Sequence, residues 1–404
     1  MESERWRVRL HFPYGEGRGA LLLPVRRLSL RSWCRDGMEM RITRALILSL
    51  VLNVPVLAQQ PAFRSTEVHP DRSVTFRYFD PKASQVNLVL ENRADRLPMQ
   101  KSANGVWSVT TAPLRPEIYG YRFSINGQAK TVHDPQNQTR RYGNDLLVIP
   151  GTPPEPWEDA GAPRGAVHNH EYETKVVVGL PGNRSSFVVY TPPGYDPKAK
   201  PYPVLYLLHV WGDRPESWSR FGQANLILDN LIAQGRAKPM VVVMPLGYGE
   251  MKFDDDYELW NDPAAVERNL RLFEKALLTE VMPQVESAYH VRKDADGTAI
   301  LGASMGGLES MIIGLSHRDR FGWVGGESSA LKNLDFDTQI PSFAPGAHPV
   351  WMVCGRQDEL LDSNRRMAAW LGQKRQAARL EEPEGTHSYI VWREGLVEFA
   401  SSIF

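Results

Sequence analysis

The chain reads as an α/β protein, a doubly wound sheet preceded by a small all-β sandwich of the immunoglobulin-like kind. Two patterns and the break between them predict this. From Phe63 to Pro150 apolar and polar residues alternate, the period of strands buried on one face. From residue 165 to residue 404, short continuous apolar runs alternate with segments of helical period, as in a parallel sheet with helices on both faces. Between the two, Gly151 to Pro163 holds four prolines and two glycines and forbids a regular element, so 151–164 reads as a linker.

Segment 1–58 is expected to lie outside the fold. Met40-Arg-Ile-Thr-Arg44 is a basic lead into the apolar stretch Ala45–Leu57, which is shorter than the ~20 residues a membrane span needs. Val56-Leu57-Ala58 then offers small residues at a cleavage site. This is a signal peptide over about 38–58, with translation starting at Met38 or Met40 and the mature chain near Gln59. Such a chain is secreted or periplasmic, with no membrane span after cleavage. The discarded segment carries ten arginines and five acidic residues, which leaves a mildly acidic mature protein.

Composition narrows the function classes. At 42% hydrophobic and 23% charged, the 404 residues suit ordinary globular domains and exclude disorder and coiled coil. Lys+Arg and Asp+Glu are both 47, so global charge recruits neither nucleic acid nor an anionic membrane. The two cysteines are Cys34 and Cys354, and losing the first with the leader excludes an internal disulfide and a cysteine-held metal. No cofactor is expected, and oligomeric state is not legible.

The sandwich strands are read in order. Val74, Phe76 and Tyr78 alternate, as do Val86, Leu88 and Leu90, and Tyr119, Tyr121, Phe123 and Ile125. Asn126-Gly127 supplies the two φ > 0 residues of a type I′ hairpin, with Ala129–Val132 returning as partner. Asn104-Gly105 turns into a strand carrying Trp107, an aromatic expected in the core. Five to seven short strands in this length make an immunoglobulin-like sandwich.

The larger domain follows over 165–404. Strands are expected at 187–190, 204–208, 240–244, 298–301 and 350–354, and helices at 226–233, 263–289 with an interruption at Pro283, 308–315 and 390–399. Directly after the strand at 298–301 stands Gly302-Ala303-Ser304-Met305-Gly306, a G-x-S-x-G pentapeptide at a strand-to-helix turn. A turn that sharp needs small flanking residues and lifts the serine hydroxyl into reach of a base, which makes the sheet one of the α/β-hydrolase kind.

Serine at its free pKa is a poor nucleophile and needs a histidine oriented by a carboxylate, in the order nucleophile, acid, base. Of the ten histidines, only His387 follows both Ser304 and a plausible acid. The acid should leave the strand at 350–354, where Asp358 is the first candidate and Glu359 and Asp362 are alternatives. An oxyanion hole takes the N–H of Met305 and a second from Val210 or Trp211, after the strand ending in Leu208-His209. His209 reads as structural. Tyr248, Trp260 and Tyr389 are candidate substrate-binding aromatics, and Asp254-Asp255-Asp256 reads as a solvated loop without calcium-loop spacing.

These segments together resemble a family. Tyr190-Thr-Pro-Pro-Gly-Tyr195, Pro203–His209, Asp229–Ala233, Ala237–Pro245, Gly302–Gly307 and Gly385–Arg393 are similar to the esterase family that holds esterase D-like enzymes, feruloyl and acetylxylan esterases of carbohydrate esterase family 1, and enterochelin esterases. The front domain resembles the E-set module, akin to glycogen-binding modules, that often precedes such esterases. The resemblance implies a Ser304, Asp358 and His387 triad, in agreement with the order argument. One departure is Val210, where the family usually has glycine, and a β-branched residue there restricts the loop that brings the second oxyanion donor. The expectation is a serine esterase for feruloyl or acetyl esters on plant cell-wall xylan. The alternatives are a ferric-siderophore esterase, served by Arg214, Arg220 and Arg356, and a non-catalytic glycan-binding protein.

Overall fold

The computed structural model of the protein describes residues 61–404 apart from Ala94, Ala129, Lys130, Tyr142 and Asn333. The expected leader and cleavage site, and Cys34, lie outside the described residues. No described helix is long and apolar enough to cross a membrane.

The front part is two facing antiparallel sheets. One orders Thr66–Val68, Val74–Phe79, Val106–Thr110 and Gln100–Lys101. The other orders Leu97–Pro98, Val86–Leu90, Glu117–Ile125, Asn144–Ile149 and Arg140–Arg141, with Thr131–Val132 pairing the far end of Glu117–Ile125. Asn126 and Gly127 have φ of 51° and 70°, the conformation that lets the right-twisted strands close on a two-residue turn. Inward residues Phe76, Leu88, Tyr121 and Phe123 form the core. Trp107 belongs to that core and donates its Nε1–H to Asp80 O at 2.9 Å.

Segment 151–164 has no regular element, yet it is held against the second domain. Trp157 is buried in the core beneath the large sheet, and Asn230 Nδ2 donates to Pro156 O and Glu158 O, both at 2.8 Å.

The large sheet has eight strands: β1 (Ala166–Glu173), β2 (Arg184–Thr191), β3 (Val204–Leu208), β4 (Val241–Pro245), β5 (Thr298–Gly302), β6 (Trp323–Glu327), β7 (Val350–Val353) and β8 (Ala378–Glu381). Their order is β1-β2-β4-β3-β5-β6-β7-β8, antiparallel at β1-β2-β4 and parallel from β4 to β8. Helices cover both faces: α1 (Ala224–Ala233), α2 (Pro263–Ala276), α3 (Met305–Ser316), α4 (Leu361–Gln373) and α5 (Tyr389–Ser402). Successive residues of β3 serve opposite faces. Leu205 and Leu207 pack with α1 and α5, while Tyr206 and Leu208 pack with α2, α3 and α4. That alternation explains why the central strands are apolar throughout.

The pattern reading does not contain β1, β6, β8 or α4. β1 is Ala-Val-His-Asn-His-Glu-Tyr-Glu, largely exposed and paired on one side only, so it needs no apolar alternation. β8 is an edge for the same reason. β6 contains Gly325 and Gly326, poor strand formers, because a Cβ at Gly325 would stand 2.8 Å from both Leu301 and Phe399. Pro283 does not end its helix. α2 passes through a π turn at Leu277–Val281 into Met282–Ala288, which places the missing N–H in the first turn of the new segment.

Candidate active site

β5 ends at Gly302 and α3 opens at Met305, leaving two residues to reverse the chain. Ser304 takes φ 55°, ψ −112°, a strained conformation of the kind that costs ~1–3 kcal/mol and persists only where its surroundings impose it. Ser304 N–H donates to Glu327 O at 2.8 Å, and Ser304 O accepts from Leu308 N and Ala330 N. The flanking glycines are steric necessities. A Cβ on Gly302 would lie 2.2 Å from Gly306 O, and one on Gly306 would lie 2.6 Å from Leu208 O.

The loops after β7 and β8 bring two more side chains to this turn. His387 Nε2 lies 2.9 Å from Ser304 Oγ, and His387 Nδ1 lies 2.9 Å from Asp358 Oδ2. This chain of contacts needs the imidazole proton on Nδ1, donated to the carboxylate, with Nε2 accepting from the serine hydroxyl. Asp358 is buried, which would raise its pKa. The His387 hydrogen bond and charge, with Leu360 N–H donating to Oδ1 at 2.9 Å, outweigh burial and hold the carboxyl below its usual value. Of the carboxylates left open by sequence, Glu359 pairs with Lys332 at 2.8 Å and Asp362 is 95% exposed, so neither meets the imidazole.

Two of the three oxyanion candidates line the cavity that holds Ser304 and His387. Met305 is the first residue of α3, so its N–H is among the donors a helix start leaves without an intrahelical acceptor. Val210 and Trp211 line the cavity beside Ser304. Their loop is held by His209, whose Nδ1–H donates to Val210 O at 2.8 Å while Nε2 accepts from Gly247 N–H at 2.9 Å. Both bonds require a neutral ring, and burial pushes the His209 pKa down to about 4. Between the usual value of about 6.5 and about 4 the unfolded chain binds the proton and the folded chain does not. Folding stability therefore falls as pH drops through this window. Equilibrium urea unfolding from pH 7 to pH 4 is expected to show the loss, and His209→Gln, which does not titrate, is expected to flatten that part of the slope.

The three aromatic candidates part ways. Trp260 lines the cavity. Tyr248 and Tyr389 are fully buried and do not line it, so the expectation of substrate contact is corrected for both. Tyr248 OH accepts from Gly212 N–H, and Tyr389 OH donates to Asp213 Oδ2 at 2.8 Å. These rings brace the loop that carries Val210 and Trp211. Asp254 pairs with Arg214 at 2.6 Å, and Asp256 caps the short helical turn that follows it.

The cavity measures about 700 Å³ and has two walls. Trp211, Tyr257, Trp260, Val266 and Leu334 make an apolar one. The sandwich makes the other, with the polar Glu91, Asn92, Arg93, Arg122, Arg141 and Asn144 beside Val89 and Leu90. Sequence reasoning missed this second wall. It comes from hairpin tips far away in the chain, and no local pattern marks a residue that will meet another domain.

Residues 180–400 match the family described as Putative esterase, and residues 65–136 match carbohydrate-binding module 48, the isoamylase N-terminal domain. An endo-1,4-beta-xylanase/feruloyl esterase of Xylanibacter ruminicola is 29% identical over 361 residues, covering 87% of this chain and 47% of that protein. The chain thus spans about half the length of that relative. The CE1 ferulic acid esterase of the anaerobic fungus Anaeromyces mucronatus superposes with a TM-score of 0.54 at 23% identity, over 61% of this chain and 93% of its own. The enterobactin esterase of Shigella flexneri superposes at 0.62 and 19% identity, over 81% and 92%. Structural likeness at these identities speaks to fold alone. The esterase match extends over more than half of the chain, so the protein belongs to the Putative esterase family, and the domain in front of its α/β part is similar to carbohydrate-binding module 48 over residues 65–136.

Proposed function

We propose that the protein is a secreted serine esterase that hydrolyses feruloyl or acetyl esters of plant cell-wall xylan or its fragments through an acyl-enzyme. The observation that carries the reading is the unbroken relay Ser304–His387–Asp358 at 2.9 Å for each contact, opening into a cavity with one apolar and one polar wall. Ser304 Oγ attacks the ester carbonyl as its proton passes to His387 Nε2. Asp358 orients the ring and stabilises the imidazolium. The tetrahedral oxyanion is met by Met305 N–H and a donor from the Val210–Trp211 loop. Collapse expels the alcohol, which takes the proton from His387, and water repeats the sequence to free the acid and Ser304.

The walls favour feruloyl over acetyl. A flat phenolic ring fits the side of Trp211, Tyr257 and Trp260, a sugar fits the polar side, and an acetyl group fills little of about 700 Å³. Ferric-siderophore cleavage calls for cations free to meet an anionic catecholate. Arg214, Arg220 and Arg356 do not line the cavity; of the four Lys and Arg residues that do, Arg93 pairs with Asp95, Arg141 with Glu91 and Lys332 with Glu359, which leaves Arg122 as the one outside these pairs among the described residues. The test is hydrolysis of methyl ferulate, acetylated xylan and a ferric catecholate ester, each beside Ser304→Ala. Serine-dependent turnover fastest on methyl ferulate is expected. Turnover of the catecholate ester alone would move the enzyme to iron acquisition, and silence on all three would favour a glycan-binding protein.

A further inference from the structure

The sandwich reaches past the cavity wall to the loop that carries His387. Asn92 sits in the turn after strand Val86–Leu90 with φ of 64°, and its Oδ1 accepts from Thr386 N–H at 2.7 Å. Thr386 is the residue before His387. Gly385 packs on the same side chain, since a Cβ there would lie 2.9 Å from Asn92 Oδ1. The other side of the loop is tied to the acid's loop: Gly385 N–H donates to Gln357 Oε1 at 2.7 Å, and Gln357 N–H donates to Gly385 O at 2.9 Å. The histidine loop is thus clamped between its own domain and the sandwich.

Asn92 is itself anchored. Its neighbour Glu91 accepts from Gly120 N–H at 2.7 Å and pairs with Arg141. Arg141 lies 4.0 Å from the centre of the Tyr389 ring and 3.9 Å from Asp213, in the loop of Val210 and Trp211. Ile390, three residues beyond His387, is buried in the sandwich core. Asn92, and Arg141 paired with its neighbour Glu91, therefore bring the sandwich against both halves of the candidate machinery.

We infer that Asn92 is a positioning residue: its side-chain carbonyl fixes the Thr386 amide and with it the aim of His387 Nε2 at Ser304, so the carbohydrate-binding module is part of the esterase site and not only a tether to glycan. The inference rests on His387 acting as the base. An isolated polar contact of this kind matters because small misplacements of a base cost large factors in rate.

The test uses the full chain and 4-nitrophenyl acetate, which is too small to need the sugar wall. Asn92→Gly keeps the left-handed backbone and removes the acceptor; Asn92→Asp keeps both. Asn92→Gly is expected to lower kcat about tenfold with KM within about twofold, and to speed hydrogen exchange at the Thr386 amide, while Asn92→Asp restores kcat to within about threefold. An unchanged kcat in Asn92→Gly, or an Asn92→Asp variant as slow as Asn92→Gly, would overturn the inference. A Ser304→Ala control that still hydrolyses this ester would instead sink the triad reading on which it rests.

Discussion

Replacing Ser304 with alanine is expected to lower kcat on the order of 10⁶-fold, with KM little changed, and Asp358→Asn to lower it on the order of 10⁴-fold. The difference follows from the roles. Alanine removes the hydroxyl oxygen 2.9 Å from His387 Nε2, so no acyl-enzyme forms and what is left is binding plus the oxyanion donors. Asparagine keeps the shape but offers an amide where the ring needs a carboxylate. It favours the tautomer with the proton on Nε2, which cannot accept from serine. Glu359→Gln and Asp362→Asn are expected to stay within about twofold of the parent, because Glu359 faces Lys332 and Asp362 is exposed. Steady-state kinetics on methyl ferulate reads all four. Loss of activity in Glu359→Gln with retention in Asp358→Asn would move the acid by one residue.

The parts of this site that were legible in sequence are those imposed by local sterics or by chain order. The turn at Ser304 needs glycine at 302 and 306 because backbone oxygens stand where a Cβ would be, so the pentapeptide marks itself. Asp358 and His387 were legible because loops from the carboxyl ends of parallel strands converge on one edge of the sheet. Central strands were legible through their apolar content, and β1 and β8 were not, because an exposed edge selects for no pattern. Tyr248 and Tyr389 were misread for a related reason: an aromatic near a strand end supports a loop as readily as it contacts a ligand, and burial, which decides, is not local. Asn92 and Arg141 had no signal at all, since their partners lie across the seam between domains.

That seam holds a buried ion pair whose loss should have the largest effect on stability. Arg393 of α5 places Nε 2.9 Å and Nη2 2.8 Å from Glu117 Oε1 of the sandwich, donates Nη2–H to Ile118 O at 2.7 Å, and donates Nη1–H to Phe221 O at 3.2 Å. Both side chains are at most 2% exposed. Burial pushes the Glu117 pKa up to about 7, against the pull of Arg393, so the folded protein disfavours the charged carboxylate relative to the unfolded chain. The sign follows: this group's contribution to stability is fully present below about 4.5 and is lost as pH rises toward about 7. Arg393→Ala removes the stronger of the two cations, Arg393 and Arg115, that offset the burial, and is expected to cost ~3–5 kcal/mol at pH 8. At pH 5 Glu117 in the variant is protonated and the cost should be smaller. Arg393→Met combined with Glu117→Gln, which leaves no charge behind, should recover most of the loss. Urea unfolding at the two pH values measures all of this. A cost under about 1 kcal/mol at pH 8 would mean that the two domains are held by the packing of Ile390, Ile118 and Trp157 and by the other polar contacts of the seam, such as Asn92 with Thr386, with the ion pair contributing orientation and little else.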